Sequence, residues 1–184
     1  MTHEAVGILL TPELRDRARP IRLLVLDVDG VLTDGTLYFS GTGEEIKAFN
    51  IQDGLGIKLL QASGVPVGII TGRRSRALEL RAENLGVRHL YQGAEDKLAA
   101  FTALLSDLAL PPTAAACIGD DLPDVPLMRR CGLAVTVPEA PAVVQRHAHY
   151  ITHRSGGHGA ARELCELLME AQGTLTTQLG RYLS

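Results

Sequence analysis

Residues 21–26 (Ile-Arg-Leu-Leu-Val-Leu) form a short apolar run that stops at Asp27-Val28-Asp29-Gly30. Its length, its branched residues and its abrupt polar end predict a buried strand of a parallel sheet, since such strands are covered on both faces. In open α/β sheets, ligands bind just beyond the carboxyl ends of the strands. Asp27 and Asp29 therefore stand where a site belongs, and two carboxylates so close need a counter-charge. A hard divalent cation such as Mg²⁺ is the usual one. Asp-Gly is also a frequent turn pair, so this string alone does not separate a site from a turn.

Strand and helix signals alternate along the rest of the chain. Short apolar stretches on either side of residues 40–43 predict a β-hairpin. A helix over about 54–63 leads to a second parallel strand over 65–70. Thr71-Gly72-Arg73 then turns into a helix through Leu85, closed by Gly86. Further strands fall at about 88–91, 114–118, 133–137 and 150–152, and helices at about 95–108 and 159–171. Pro12 opens a short lead-in helix. The pattern predicts an α/β fold, a Rossmann-like parallel sheet with helices on both faces. It divides the chain into a lead-in segment (1–20), one domain (21–173) and a tail (174–184). Three polar clusters each follow a strand: Asp27/Asp29, Thr71/Gly72/Arg73 and Gly119/Asp120/Asp121/Asp124. If those strands are neighbours, the clusters converge on one pocket.

A length of 184 residues suits a single domain with a sizeable core. The net charge of −3 gives no footprint for nucleic acid. No apolar run is long enough to span a bilayer, and Glu4 in place of a basic leader argues against a signal peptide. Cys117, Cys131 and Cys165 lack metal-ligand spacing and are odd in number. They are expected to be buried free thiols in a reducing cytoplasm, with no membrane or nucleic-acid partner.

A pocket with these groups suits phosphoryl transfer, which needs a nucleophile, neutralised oxygens and a proton for the leaving group. Asp27 can attack phosphorus, and Asp29 can protonate the leaving alkoxide and then activate water. Asp120 can close a metal site with Asp27. Thr71, placed at a helix N-terminus, can hydrogen-bond a phosphoryl oxygen, and Lys97 is the best placed cation. Each has a plainer reading. Thr71 is a good N-cap, Lys97 suits a solvated helix face, Asp120 and Asp121 suit a helix dipole, and Asp124 could be a surface charge.

Asp27-Val28-Asp29-Gly30, Ile70-Thr71-Gly72-Arg73, Lys97 and Gly119-Asp120-Asp121-x-x-Asp124 resemble the four ordered motifs of the haloacid dehalogenase superfamily of phosphohydrolases. Residues 27–35, 43–57, 91–93, 119–122 and 156–163 are similar, more narrowly, to the 3-deoxy-D-manno-octulosonate 8-phosphate phosphatases, and the likeness spans about residues 20–173. The resemblance implies Asp27 as nucleophile and Mg²⁺ ligand, and Asp29 as acid/base with its backbone carbonyl on the metal. Asp120 would be the remaining protein ligand, supported by Asp121 and Asp124, and Thr71 and Lys97 would hold the phosphoryl group. Asn50, Ile51, Gln52, Asp53 and Gly54, with Lys58, Arg73 and Arg81, would contact the substrate, a phosphorylated sugar acid, beside Asp29 and Lys97. Lys58 often corresponds to arginine in relatives, which weakens a two-pronged contact there.

The resemblance also implies a cap-less enzyme of lipopolysaccharide biosynthesis, a homotetramer in which the hairpin and tail wall off a neighbour's site. The spacing agrees on the cap, because Asp29 to Thr71 leaves room only for a hairpin and one helix. His158 is not needed for the chemistry. The competing readings are a phosphatase for a nine-carbon sialic-type acid phosphate, a phosphotransferase, and a non-catalytic relative beside a nucleotidyl-sugar synthetase. Intact Asp27 and Asp29 argue against the last.

Overall fold

The computed structural model describes residues 10–183; residues 1–9 of the lead-in segment and Ser184 of the tail lie outside them. Its centre is a six-stranded sheet in which every pairing is parallel. The strands are β1 (Leu23–Leu26), β4 (Val67–Thr71), β5 (His89–Gln92), β6 (Ala115–Ile118), β7 (Leu133–Thr136) and β8 (Tyr150–Ile151), in the spatial order β5-β4-β1-β6-β7-β8. Every residue of β1, β4, β6 and β7 is buried. These strands lack polar/apolar alternation because both of their faces are covered.

The order reverses at β1, with β4 on one side and β6 on the other. Parallel crossovers are right-handed, so connections running towards β5 and those running towards β8 fall on opposite faces. The packing follows that rule. α2 (Ile51–Ala62) lies against α3 (Arg76–Leu85) and α7 (Ala160–Ala171), and α7 against α1 (Pro12–Ala18) and α8 (Leu175–Leu183). α4 (Lys97–Asp107) and α5 (Val125–Met128) pack together on β4, β6 and β7. A short α6 (Ala142–Gln145) joins β7 to β8. Where α2 meets α7 the backbones are close: a Cβ on Gly56 would lie 2.9 Å from Arg162 Cα.

Between β1 and α2 the chain makes only the hairpin of β2 (Tyr38–Phe39) and β3 (Glu45–Ile46), paired Tyr38 with Ile46 and Phe39 with Glu45. All three cysteines are buried and free, and among the described residues no helix is long and apolar enough to cross a membrane.

Three boundaries differ from the sequence reading. α2 begins at Ile51, three residues early, because the Asn50 side chain accepts from Gln52 N at 2.7 Å and caps it. α3 begins only at Arg76, so Thr71 ends a strand and Arg73 lies in a loop. Thr71 is therefore not a helix cap, and Arg73 and Arg81 do not share a helix. The tail, read without regular structure, is helical over Leu175–Leu183, with Leu175 and Gln178 buried.

Candidate active site

The carboxyl ends of β4, β1 and β6 are adjacent, so the three polar clusters meet. Asp27 is the first residue past β1; its N–H donates to Ile118 O of β6 at 3.0 Å and its side chain is buried. The chain then folds back on itself, with Val28 O accepting from the amides of Val31, Leu32 and Thr33. That loop presses against the one after β6. Gly30 has a φ of 90°, and a Cβ there would sit 2.1 Å from Asp120 Oδ2, so only glycine fits. On the β6 side Thr136 Oγ1 donates to Gly119 O at 2.7 Å and fixes the strand end that carries Asp120.

Lys97, the first residue of α4, is buried and reaches back to this point. Its ammonium donates at 2.7 Å to Asp27 Oδ1 and at 2.7 Å to Asp124 Oδ1. Burial alone would lower the Lys97 pKa, but the charges of Asp27 and Asp124 outweigh it and hold it above its ordinary value. Neither Lys97 nor Asp124 is a surface charge. Asp124 Oδ2 accepts the amides of Asp120 and Asp121, each at 3.3 Å, and Asp121 caps the short turn Leu122–Asp124. Both oxygens of Asp124 are thus engaged, which makes it the residue that places Lys97 and shapes the Asp120 loop.

Asp27, Asp120 and Asp124 offer carboxylate oxygens within 4.8 Å of one another, with the Lys97 ammonium bonded among them. Burial, then the charge of Asp124, pushes the Asp27 carboxyl well up, and the same two causes raise that of Asp120 to about 6. All-oxygen donors with uncompensated negative charge fit a hard divalent cation. Asp27 and Asp120 would hold it, since Asp124 is already committed.

Thr71, at the end of β4, is buried, and its hydroxyl accepts the Arg73 amide at 3.3 Å. Arg73 is exposed, and its Nε and Nη2 donate to Glu45 Oε2 at 3.2 and 2.6 Å. Lys47 was missed in the sequence: its ammonium donates to Asp29 Oδ1 and lies 3.0 Å from Glu45 Oε1. A signal existed, for Glu45 and Lys47 are two apart around outward-facing Ile46 in a hairpin, hence on one side of the ribbon.

The segment at 50–58 is split. Ile51 and Gln52 are exposed at the start of α2, and Lys58 is exposed about two turns further along it; Gln52 Oε1 lies 3.4 Å from Arg154 Nη1. Asn50 acts on the backbone: beyond capping α2, its carbonyl accepts Arg81 Nη2 at 3.0 Å. Arg81 also lies over the Phe49 ring, 5.8 Å from its centroid, and a Cβ on Gly54 would be 2.2 Å from Arg81 Nη2. Asp53 departs from the reading as a substrate contact. Its buried carboxylate accepts Gly159 N at 3.2 Å and Arg162 N at 2.8 Å, capping α7 from α2. His158 is exposed, its Nδ1 2.9 Å from Gly156 O. It lines a cavity of about 460 Å³ that runs from Gly30 and Asp120 past Asp34, Glu139 and Ser155.

Comparison with known proteins agrees with this geometry. The sequence profile of the haloacid dehalogenase-like hydrolases matches residues 89–164. The 3-deoxy-D-manno-octulosonate 8-phosphate phosphatase KdsC of Salmonella typhimurium is 48% identical over 172 residues, 94% of this chain and 92% of that protein. A probable YrbI family phosphatase from Pseudomonas syringae superposes with a TM-score of 0.93 at 52% identity, covering 95% of this chain and 99% of that one. The 3-deoxy-D-manno-octulosonate 8-phosphate phosphatase from Moraxella catarrhalis, solved with magnesium ion, phosphate ion and KDO, superposes at 0.91 with 40% identity, over 92% and 98% of the two chains. On these matches, the chain belongs to the 3-deoxy-D-manno-octulosonate 8-phosphate phosphatase family of haloacid dehalogenase-like hydrolases.

Proposed function

We propose that the protein is a Mg²⁺-dependent phosphatase that converts 3-deoxy-D-manno-octulosonate 8-phosphate into the free sugar acid and phosphate, in the cytoplasm, for lipopolysaccharide biosynthesis. The observation that carries this reading is Asp27 bonded to Lys97 at 2.7 Å beside Asp120, with Asp29 two residues on. A carboxylate oxygen of Asp27 attacks phosphorus, the bond to the sugar oxygen breaks, and Asp29 gives that oxygen its proton. Asp29 then takes a proton from water, whose oxygen displaces phosphate from Asp27. Lys97 and the Thr71 hydroxyl hold the phosphoryl oxygens. Asp27 and Asp120, with the Asp29 carbonyl, would hold Mg²⁺, which would supply positive charge against the dianion. The Mg²⁺ and KDO of the Moraxella catarrhalis complex support the same assignment.

Arg73 is the proposed contact for the sugar-acid carboxylate, because the fork now filled by Glu45 suits a carboxylate. Arg73→Ala should raise KM for eight-carbon sugar-acid phosphates far more than for a simple aryl phosphate. Losing one charged contact costs roughly 1.5 to 3 kcal/mol. Phosphate release from a panel of eight- and nine-carbon sugar-acid phosphates, on parent and variant, tests both statements. Preference of the parent for a nine-carbon substrate would overturn the substrate assignment, and equal losses on all substrates would remove Arg73 from recognition.

The proposed assembly is a homotetramer. Leu37, Phe39 and Ile46 are 45%, 58% and 53% exposed on one small hairpin, an apolar cluster that a partner surface would cover. Phe49, just past the hairpin, packs against the core. Phe39→Glu should shift the protein to smaller species in light scattering. A parent that is monomeric at micromolar concentration and fully active would refute shared sites.

A further inference from the structure

We propose that Lys47 is a positioning residue for the acid/base: the hairpin between β1 and α2 holds Asp29 through this lysine. A lysine on an exposed two-stranded ribbon ordinarily sends its ammonium into water. This one does the opposite, with a side chain only 4% exposed while neighbouring Ile46 is 53% exposed. A buried ammonium is costly unless it is paired. Its partners are Asp29 Oδ1 on the β1 loop and Glu45 Oε1 at 3.0 Å, and Glu45 in turn takes Arg73 Nη2 at 2.6 Å. Charges therefore alternate from Asp29 through Lys47 and Glu45 to Arg73, which locks the inner side of the hairpin onto the loops after β1 and β4.

The consequence lies in which Asp29 oxygen is held. Asp29 sits on a loop rather than in the strand, so nothing in the sheet fixes its rotamer. Lys47 engages Oδ1, while Oδ2 accepts no hydrogen bond from the described residues. With Oδ1 anchored, Oδ2 is the oxygen that delivers the proton to the departing sugar oxygen as its bond to phosphorus breaks. It is also the oxygen that later takes a proton from water. This inference rests on the acid/base role proposed for Asp29.

The test uses leaving groups. A sugar alkoxide leaves poorly without a proton, whereas an aryl oxide leaves readily without one. Lys47→Met should lower kcat for a sugar-acid phosphate by about 100-fold or more and for an aryl phosphate by less than about tenfold, the range expected for an impaired general acid. KM should change little for either, and Lys47→Arg should restore most of the difference. Should Lys47→Met fail to fold, Lys47→Gln carries the same comparison. Asp29→Asn is assayed in parallel, and light scattering is recorded on every sample. Equal losses of kcat on both substrates for the lysine variants, with the split retained in Asp29→Asn, would overturn the role of Lys47 alone. No split in Asp29→Asn would overturn the acid/base reading, and the inference with it. A loss confined to KM, or one that tracks dissociation, would assign Lys47 to binding or to assembly instead.

Discussion

Asp27→Asn should abolish phosphate release while leaving the circular dichroism of the protein unchanged. Asparagine keeps the shape of the side chain and can still accept from Lys97, which the structure places 2.7 Å from Asp27 Oδ1. It cannot supply an anionic oxygen to phosphorus, so turnover should fall on the order of 10⁴- to 10⁶-fold, as for loss of other covalent nucleophiles. The fold should tolerate the change. Burial and the charge of Asp124 hold the Asp27 carboxyl well above its ordinary pKa, so its ionised form is disfavoured where it stands. Removing that charge relieves repulsion with Asp124, and Lys97 keeps Asp124 as a partner. Without added metal, the variant should therefore melt no lower than the parent at neutral pH. Phosphate release and thermal melts on the same preparations check both halves. Residual activity near the parent level would end the covalent mechanism, and a collapsed spectrum would show that Asp27 is needed for folding.

Much of this site could be read in the sequence because its parts obey local rules. The run at 21–26 and the strand ending at Thr71 are continuous apolar segments with polar ends, and the sheet sets them side by side with β6. Once the three strands are neighbours, Asp27, Thr71 and Asp120 must meet. The position of Lys97 was legible for the same reason, as the first turn of a helix that follows the adjacent strand β5.

What escaped the sequence depends on contacts between distant segments. Asp53 looks like a binding residue in its motif, yet its partners are Gly159 and Arg162 amides more than 100 residues away. No local pattern records that pairing. Lys47 meets Asp29 only because the hairpin folds back over the β1 loop. Thr71-Gly72-Arg73 resembles a helix start, but residues 72–75 stay irregular: Ser75 makes no side-chain cap bond, and its amide is held instead by Gln92 Oε1 at 2.8 Å. α8 escaped because threonines and Gly180 lower its helix propensity. Leu175, Leu179 and Leu183 repeat every four residues, which was the available signal.

Removal of the metal should have an effect as large as loss of the nucleophile, and it should be visible without turnover. Asp120 is held at about 6 by burial and by Asp124, against about 4 for a free aspartate. A folded-state pKa above the unfolded one gives stability that is present at low pH and lost as pH rises through the folded value. The metal-free protein should accordingly lose stability from this group between about pH 4 and pH 6. Mg²⁺ replaces the proton as counter-charge, so it should raise Tm more at pH 8 than at pH 5, where it competes with protons. At a concentration 100 times Kd the gain is about 2.7 kcal/mol, or roughly 5 to 10 °C for a chain of this length. Activity should vanish in chelator and return with Mg²⁺. Ca²⁺ should restore little, because its larger, looser coordination misplaces the Asp27 oxygen that must attack. Calorimetry at both pH values, with and without Mg²⁺, checks the first expectation and phosphate release the second. Equal shifts in Tm at pH 5 and pH 8 would remove Asp120 from the metal site, and full turnover after exhaustive chelation would remove the metal from the reaction.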